Sequence, residues 1–110
     1  MAFSIVQKDT NPPISSRLTD SGEPVNLSNA SNVFFHMEDE YNKVVISDDI
    51  TGRVNIVDEV SGEVEYVFSE DDTNNVGKYN AEWEVLYEDG SRETFPSNRM
   101  ITVNITSGIE

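Results

Sequence analysis

Cysteine is absent from this 110-residue chain, which excludes a disulfide framework and any thiolate metal site. Only one histidine, His36, is present, so zinc sites built on several imidazoles are excluded as well. Basic residues are scarce, seven against 21 acidic ones, for a net charge of −14. Such a chain repels nucleic-acid phosphates, and no DNA or RNA partner is expected. No apolar run approaches the length of a membrane span, so no membrane partner is expected either. Met1 to Lys8 lacks a basic region followed by a long apolar run, and no signal peptide is expected.

Helical periodicity is missing too. Apolar residues at i, i+3, i+4 and i+7 are sustained nowhere, whereas alternating runs recur every eight to twelve residues or so. The fullest is residues 77–96. Tyr79, Ala81, Trp83, Val85 and Tyr87 share one face, and Lys78, Asn80, Glu82, Glu84 and Glu88 share the other. Period-two alternation marks a strand with one face in a core and one in water. Asp89-Gly90 supplies the turn, and Arg92 to Phe95 returns antiparallel.

The same reading puts Phe3–Val6 in a first strand, ended by Asn11-Pro12-Pro13, with Ile14, Ser16 and Leu18 on one face after it. Val25 and Leu27 form a short piece before a polar loop, Ser28 to Asn32. Val33, Phe35 and Met37 face inward, and Phe34 and His36 outward. Val44–Ile46 is a short strand near an edge, and Val54 with Ile56 lies in the next. Val64, Tyr66 and Phe68 point in, as do Ile101, Val103 and Ile105. The expected fold is all-β: one domain over residues 1–110, an immunoglobulin-like β-sandwich of seven to nine antiparallel strands.

Chemistry is hard to find in this pattern. His36 on a strand face reads as a packing or surface residue rather than a catalyst. Glu82 and Glu84 lie on one face about 7 Å apart by strand rise, yet no cleft can be inferred around them, and a solvated sheet face is the plainer account. Calcium is a weak cofactor candidate. Glu38-Asp39-Glu40, Asp48-Asp49 and Glu70-Asp71-Asp72 sit in expected turns, but none follows the spacing of a calcium loop. Asn26, Asn29 and Asn104 open Asn-x-Ser/Thr triplets, which chance explains. No catalytic residue, cofactor or metal ligand is assigned, and an enzyme is not expected. The acidic surface reads as a solubility device or as an adaptation to high salt.

The order of the segments resembles a known module. Asp9-Thr10 with Pro13, Leu18-Thr19-Asp20 and Gly22 to Ala30 match its opening. Val33 to Met37, Gly62 to Tyr66 and Asp72-Thr73 continue it. Gly77 to Val85, followed by Asp89-Gly90 and Thr94-Phe95-Pro96, is the most specific part. Together they resemble the immunoglobulin-like N-terminal domain of the baseplate upper proteins of tailed phages. The resemblance implies a non-enzymatic virion component that binds other virion proteins in many copies, with a homo-oligomer as one form of assembly. In those proteins the domain introduces a longer chain, whereas this sequence stops at Glu110. A small accessory or capsid-decoration subunit is therefore expected beside a tail or baseplate role. A carbohydrate-binding sandwich is the alternative, with Phe34 and Tyr41 as its only plausible aromatic platforms. Expected interface anchors are Phe3, Ile5, Ile105 and Ile109, with Arg17, Arg53, Arg92 and Arg99 as cations for carboxylates on neighbours.

Overall fold

The computed structural model describes residues 2–96 and 100–108. Eleven strands follow in chain order: β1 (Ala2–Val6), β2 (Ile14–Arg17), β3 (Thr19–Asp20), β4 (Glu23–Pro24), β5 (Ala30–Asp39), β6 (Val44–Asp49), β7 (Val54–Asp58), β8 (Glu63–Tyr66), β9 (Gly77–Tyr87), β10 (Arg92–Phe95) and β11 (Ile101–Thr106). The larger sheet runs β1-β11-β9-β5-β6, with β10 also on β9; the smaller runs β2-β8-β7, and β3 pairs β4 alone. Among the described residues there is no helix. Seven of the pairings are antiparallel, and β1 on β11 is parallel. The chain thus crosses between the two sheets from β1 to β2, back to β5 and β6, across to β7 and β8, and back to β9, with the first strand laid beside the last.

The all-β class and the sandwich arrangement are as the alternation predicted. Two details are corrected. The expected seven to nine strands are eleven, because the two-residue pieces β3 and β4 pair with each other as strands of their own. The all-antiparallel expectation fails at β1, whose residues Ala2 to Val6 run parallel to Thr102 to Thr106. Alternation within one strand carries no information about the direction of its neighbour.

The long β5–β9 pair sets the frame. Phe35 lies opposite Trp83, Val33 opposite Val85 and Met37 opposite Ala81, so odd-numbered residues of both strands face the core. Trp83, Phe35 and Val33 are fully buried, and Val64, Tyr66 and Phe68 meet them from the other layer. Phe35 stacks on Tyr66 at 4.6 Å between ring centroids and tilts against Trp83 at 4.8 Å. Trp83 Nε1 donates to Ser16 Oγ on β2 at 3.0 Å. The two sheets are therefore joined by a hydrogen bond inside an aromatic core, where an unpaired indole N–H would be costly. At the start of β9 the Tyr79 hydroxyl donates to the Asn75 carbonyl at 2.7 Å, the back-bond known as a tyrosine corner in sandwich domains.

Local departures from the expected boundaries have plain causes. Val25 and Leu27 lie outside any strand, yet Leu27 is buried and its N–H reaches the Glu59 carbonyl. The expected loop Ser28 to Asn32 loses its second half to β5, since Ala30 and Asn32 pair Tyr87 and Leu86 across a bulge. Asp48 and Asp49, expected in a turn, extend β6 opposite Phe35 and Phe34. In both places a partner strand supplies ladder bonds that side-chain polarity does not reveal.

Candidate interaction surface

The outer face of the larger sheet collects the polar half of each alternating strand. Phe34, His36 and Glu38 on β5 stand beside Glu84, Glu82 and Asn80 on β9 in register. Glu84 is the centre of a network. One of its oxygens lies 3.1 Å from His36 Nε2, and the other accepts from Arg92 Nη1 at 3.2 Å. An ionised carboxylate only accepts, so Nε2 carries the proton in that pair. The second ring nitrogen, Nδ1, then faces Ser47 Oγ on β6 at 3.0 Å. Phe34 stacks on the His36 ring at 5.8 Å, and the Arg92 guanidinium lies over the Phe34 ring at 5.8 Å. Donation by His36, and after it the Arg92 contacts, hold the Glu84 carboxyl below its usual range.

This arrangement braces four strands. His36 is tied at both nitrogens, and Glu84 is already neutralised. Elsewhere, burial and then the bond to Glu93 push the Tyr87 hydroxyl up to about 12. Burial, and then its bond to Asp72 at 2.6 Å, raise the Tyr66 hydroxyl further. As donors, Tyr66 pins the segment after β8 and Tyr87 ties β9 to β10.

In each acidic cluster an aspartate accepts local hydrogen bonds. Asp39 accepts from the N–H groups of Tyr41 and Lys43. Asp49 accepts from Asn32 and from Thr51, and Asp72 from Tyr66 and Ser69. Among the described residues no three carboxylate or imidazole groups gather as a metal site would require.

The expected anchors fall into distinct places. Ile5 and Ile105 are a correction: both are core residues, 3 % and 2 % exposed. They are register partners in the parallel β1–β11 pair, which turns them together into the sandwich. Phe3 is half-buried and stacks on Phe68 at 5.9 Å. Arg17 is exposed and bonds Glu63 in its own chain at 2.6 Å, while Arg92 is engaged by Glu84. The Arg53 guanidinium reaches toward the Val67 and Phe68 carbonyls at 3.4 and 3.5 Å. Arg99 and Ile109 lie outside the described residues. The sequence reading missed the exposed aliphatic surface: Val44 and Val45 on β6, Val57 on β7, Val60 after it, and Met100. The signal was available in Val44-Val45-Ile46, an unbroken apolar triplet in which only Ile46 is buried.

The BppU N-terminal domain matches the chain over residues 3–110. The chain belongs to that family, the baseplate upper protein N-terminal domain. No curated protein matches the sequence. As a BppU N-terminal domain it is a phage virion component and a structural protein associated with the baseplate. Baseplate work implies contact with other virion proteins. The match covers β1 from Phe3 onward and all of β2 to β11, so the sandwich, its tyrosine corner and the outer-face network all fall within the BppU domain.

Proposed function

We propose that this BppU-type domain is a non-enzymatic attachment module, which binds other virion proteins through the surface of its sandwich and acts in many copies. The observation that carries the reading is the match over residues 3–110 to a baseplate domain. The outer face agrees with it, because its one histidine is spent on bracing strands. Of the two locations expected from the sequence, family membership favours the baseplate over capsid decoration. Many weak identical contacts would add by avidity in such an assembly. A carbohydrate-binding role has less support: Phe34 is overlaid by Arg92, which leaves Tyr41, 83 % exposed, as a lone aromatic platform. Mass spectrometry of purified particles tests the proposal, with the chain expected at a multiple of the tail's symmetry. Its restriction to infected-cell lysate would overturn the reading.

A further inference from the structure

Strand β6 is the last of the larger sheet and, among the described residues, pairs only with β5. Its free edge therefore offers backbone N–H and C=O groups to an incoming strand. Natural edges are usually guarded by lysine, proline or a short length. β6 has neither lysine nor proline over six residues, its charges Asp48 and Asp49 stand only at its far end, and its Val44 and Val45 are 60 % and 43 % exposed. Beside this edge the sheet is hollowed into a groove of about 360 Å³, with Val44 and Met100 as apolar walls and Glu38 and Glu82 among its polar lining.

The two glutamates are diagonal neighbours: His36 lies opposite Glu82, and Glu38 lies opposite Asn80. Diagonal positions across a sheet are about 7–8 Å apart. Farther along the same face Glu84 has both His36 and Arg92. Among the described residues, no cation or donor reaches Glu38 or Glu82. Two like charges at that spacing, half-buried and on a chain of net −14, gain together from one cation placed between them.

We infer that this edge and groove receive an extended segment of a different protein that carries an arginine or lysine. Its backbone adds to β6, its cation reaches over β6 to Glu38, two strand spacings or about 10 Å inward, with Glu82 attracting it from farther across the sheet, and an apolar neighbour packs on Val44. A second copy of this chain is the wrong occupant. It would bring another fourteen net negative charges, and its own β6 offers Asp48 and Asp49 rather than a cation. The inference rests on the virion reading only for the source of the segment.

The test uses the full chain and short synthetic peptides in which valine alternates with arginine, glutamine or glutamate, followed by amide NMR at low salt. The arginine peptide should shift the amides of Val44 to Asp49 together with those of Glu38 and Glu82, and the glutamate peptide should not bind. Replacing both carboxylates, Glu38→Gln with Glu82→Gln, should weaken the arginine peptide about tenfold or more, as loss of a facing charge pair does. Val44→Lys, at an exposed position that tolerates it, should supply the cation in the chain itself and abolish binding. Equal binding of the glutamine and arginine peptides, shifts away from β6, or an unaffected double variant would overturn the inference. Those outcomes would leave the particle composition, and with it the baseplate reading, intact.

Discussion

At the scale of single residues, the core is held by size and by one hydrogen bond. Trp83 is fully buried, and Trp83→Ala should lower stability by about 3–5 kcal/mol through lost transfer energy and the cavity left behind. Ser16→Ala removes far less volume but orphans the indole N–H that Ser16 accepts at 3.0 Å. It should therefore cost about 1–3 kcal/mol, the penalty for a buried donor left unpaired. Denaturant melts of both variants, with Trp83→Phe to complete a cycle, check this: on a phenylalanine background Ser16→Ala should be nearly neutral. Glu84 gives a second residue-scale expectation. Its folded carboxyl is held below the normal value, first by His36. A depressed carboxyl adds stability that is present above the unfolded value, about 4.3 for glutamate, and is lost as pH falls through the folded one. The stability gap between the native chain and Glu84→Gln should thus be at its full size above about pH 6 and close toward about pH 2 in urea melts. A gap independent of pH would mean that the His36 and Arg92 contacts add nothing through charge.

At the scale of elements, turns decide what strands can do. Gly62 has φ +71°, and a Cβ there would meet the Val25 carbonyl at 2.6 Å and the Leu18 carbonyl at 2.8 Å. Those same groups build the joint: Leu18 N–H reaches the Gly62 carbonyl, and Val25 N–H reaches that of Leu18. Gly90, at φ +89° in the β9–β10 turn, has nothing within 4 Å. Gly90→Ala should therefore lose only the left-handed backbone term, about 1–2 kcal/mol, and Gly62→Ala clearly more, because backbone must move as well. Thermal melts that ranked the two equally would count against the close approach at Gly62. The hairpin at Asp89-Gly90 was legible in sequence, as were the inward faces of β5, β8, β9 and β11, because alternation reports burial directly. What alternation could not supply was pairing. Ile5 read as an end-of-chain anchor until its register partner Ile105, assigned inward by alternation, carried it into the core, and Asp48 and Asp49 read as turn until β5 drew them into a ladder. The outer-face network was half visible. Glu84 and His36 could each be assigned to the outer face, but only the register of β5 on β9 brings them together.

At the scale of the whole molecule, charge and shape act together. The body is 48 Å long and 23 Å across, so 21 carboxylates and seven cations are spread over a narrow sandwich with much surface for its mass. Folding concentrates that charge, since the unfolded chain holds the same groups farther apart. Three ion pairs involving the described cations and His36 offset only a little of it, and exposed pairs contribute about 0–1 kcal/mol each. Self-repulsion should then be the term that salt changes most. The Debye length falls from about 10 Å at 0.1 M to about 3 Å at 1 M, so the melting temperature should rise as sodium chloride is added. The shape of the rise separates two causes. Screening acts mainly through the first few tenths molar and then levels off, whereas strengthened apolar burial by excluded salts keeps growing with concentration. A curve that climbs early and flattens is the expected result in calorimetry, and it is what a surface adapted to high salt requires. A melting temperature unchanged between about 0.1 M and 1 M would mean that the acidic residues are already far enough apart to be indifferent to one another, and the acidity would then stand as a solubility device alone.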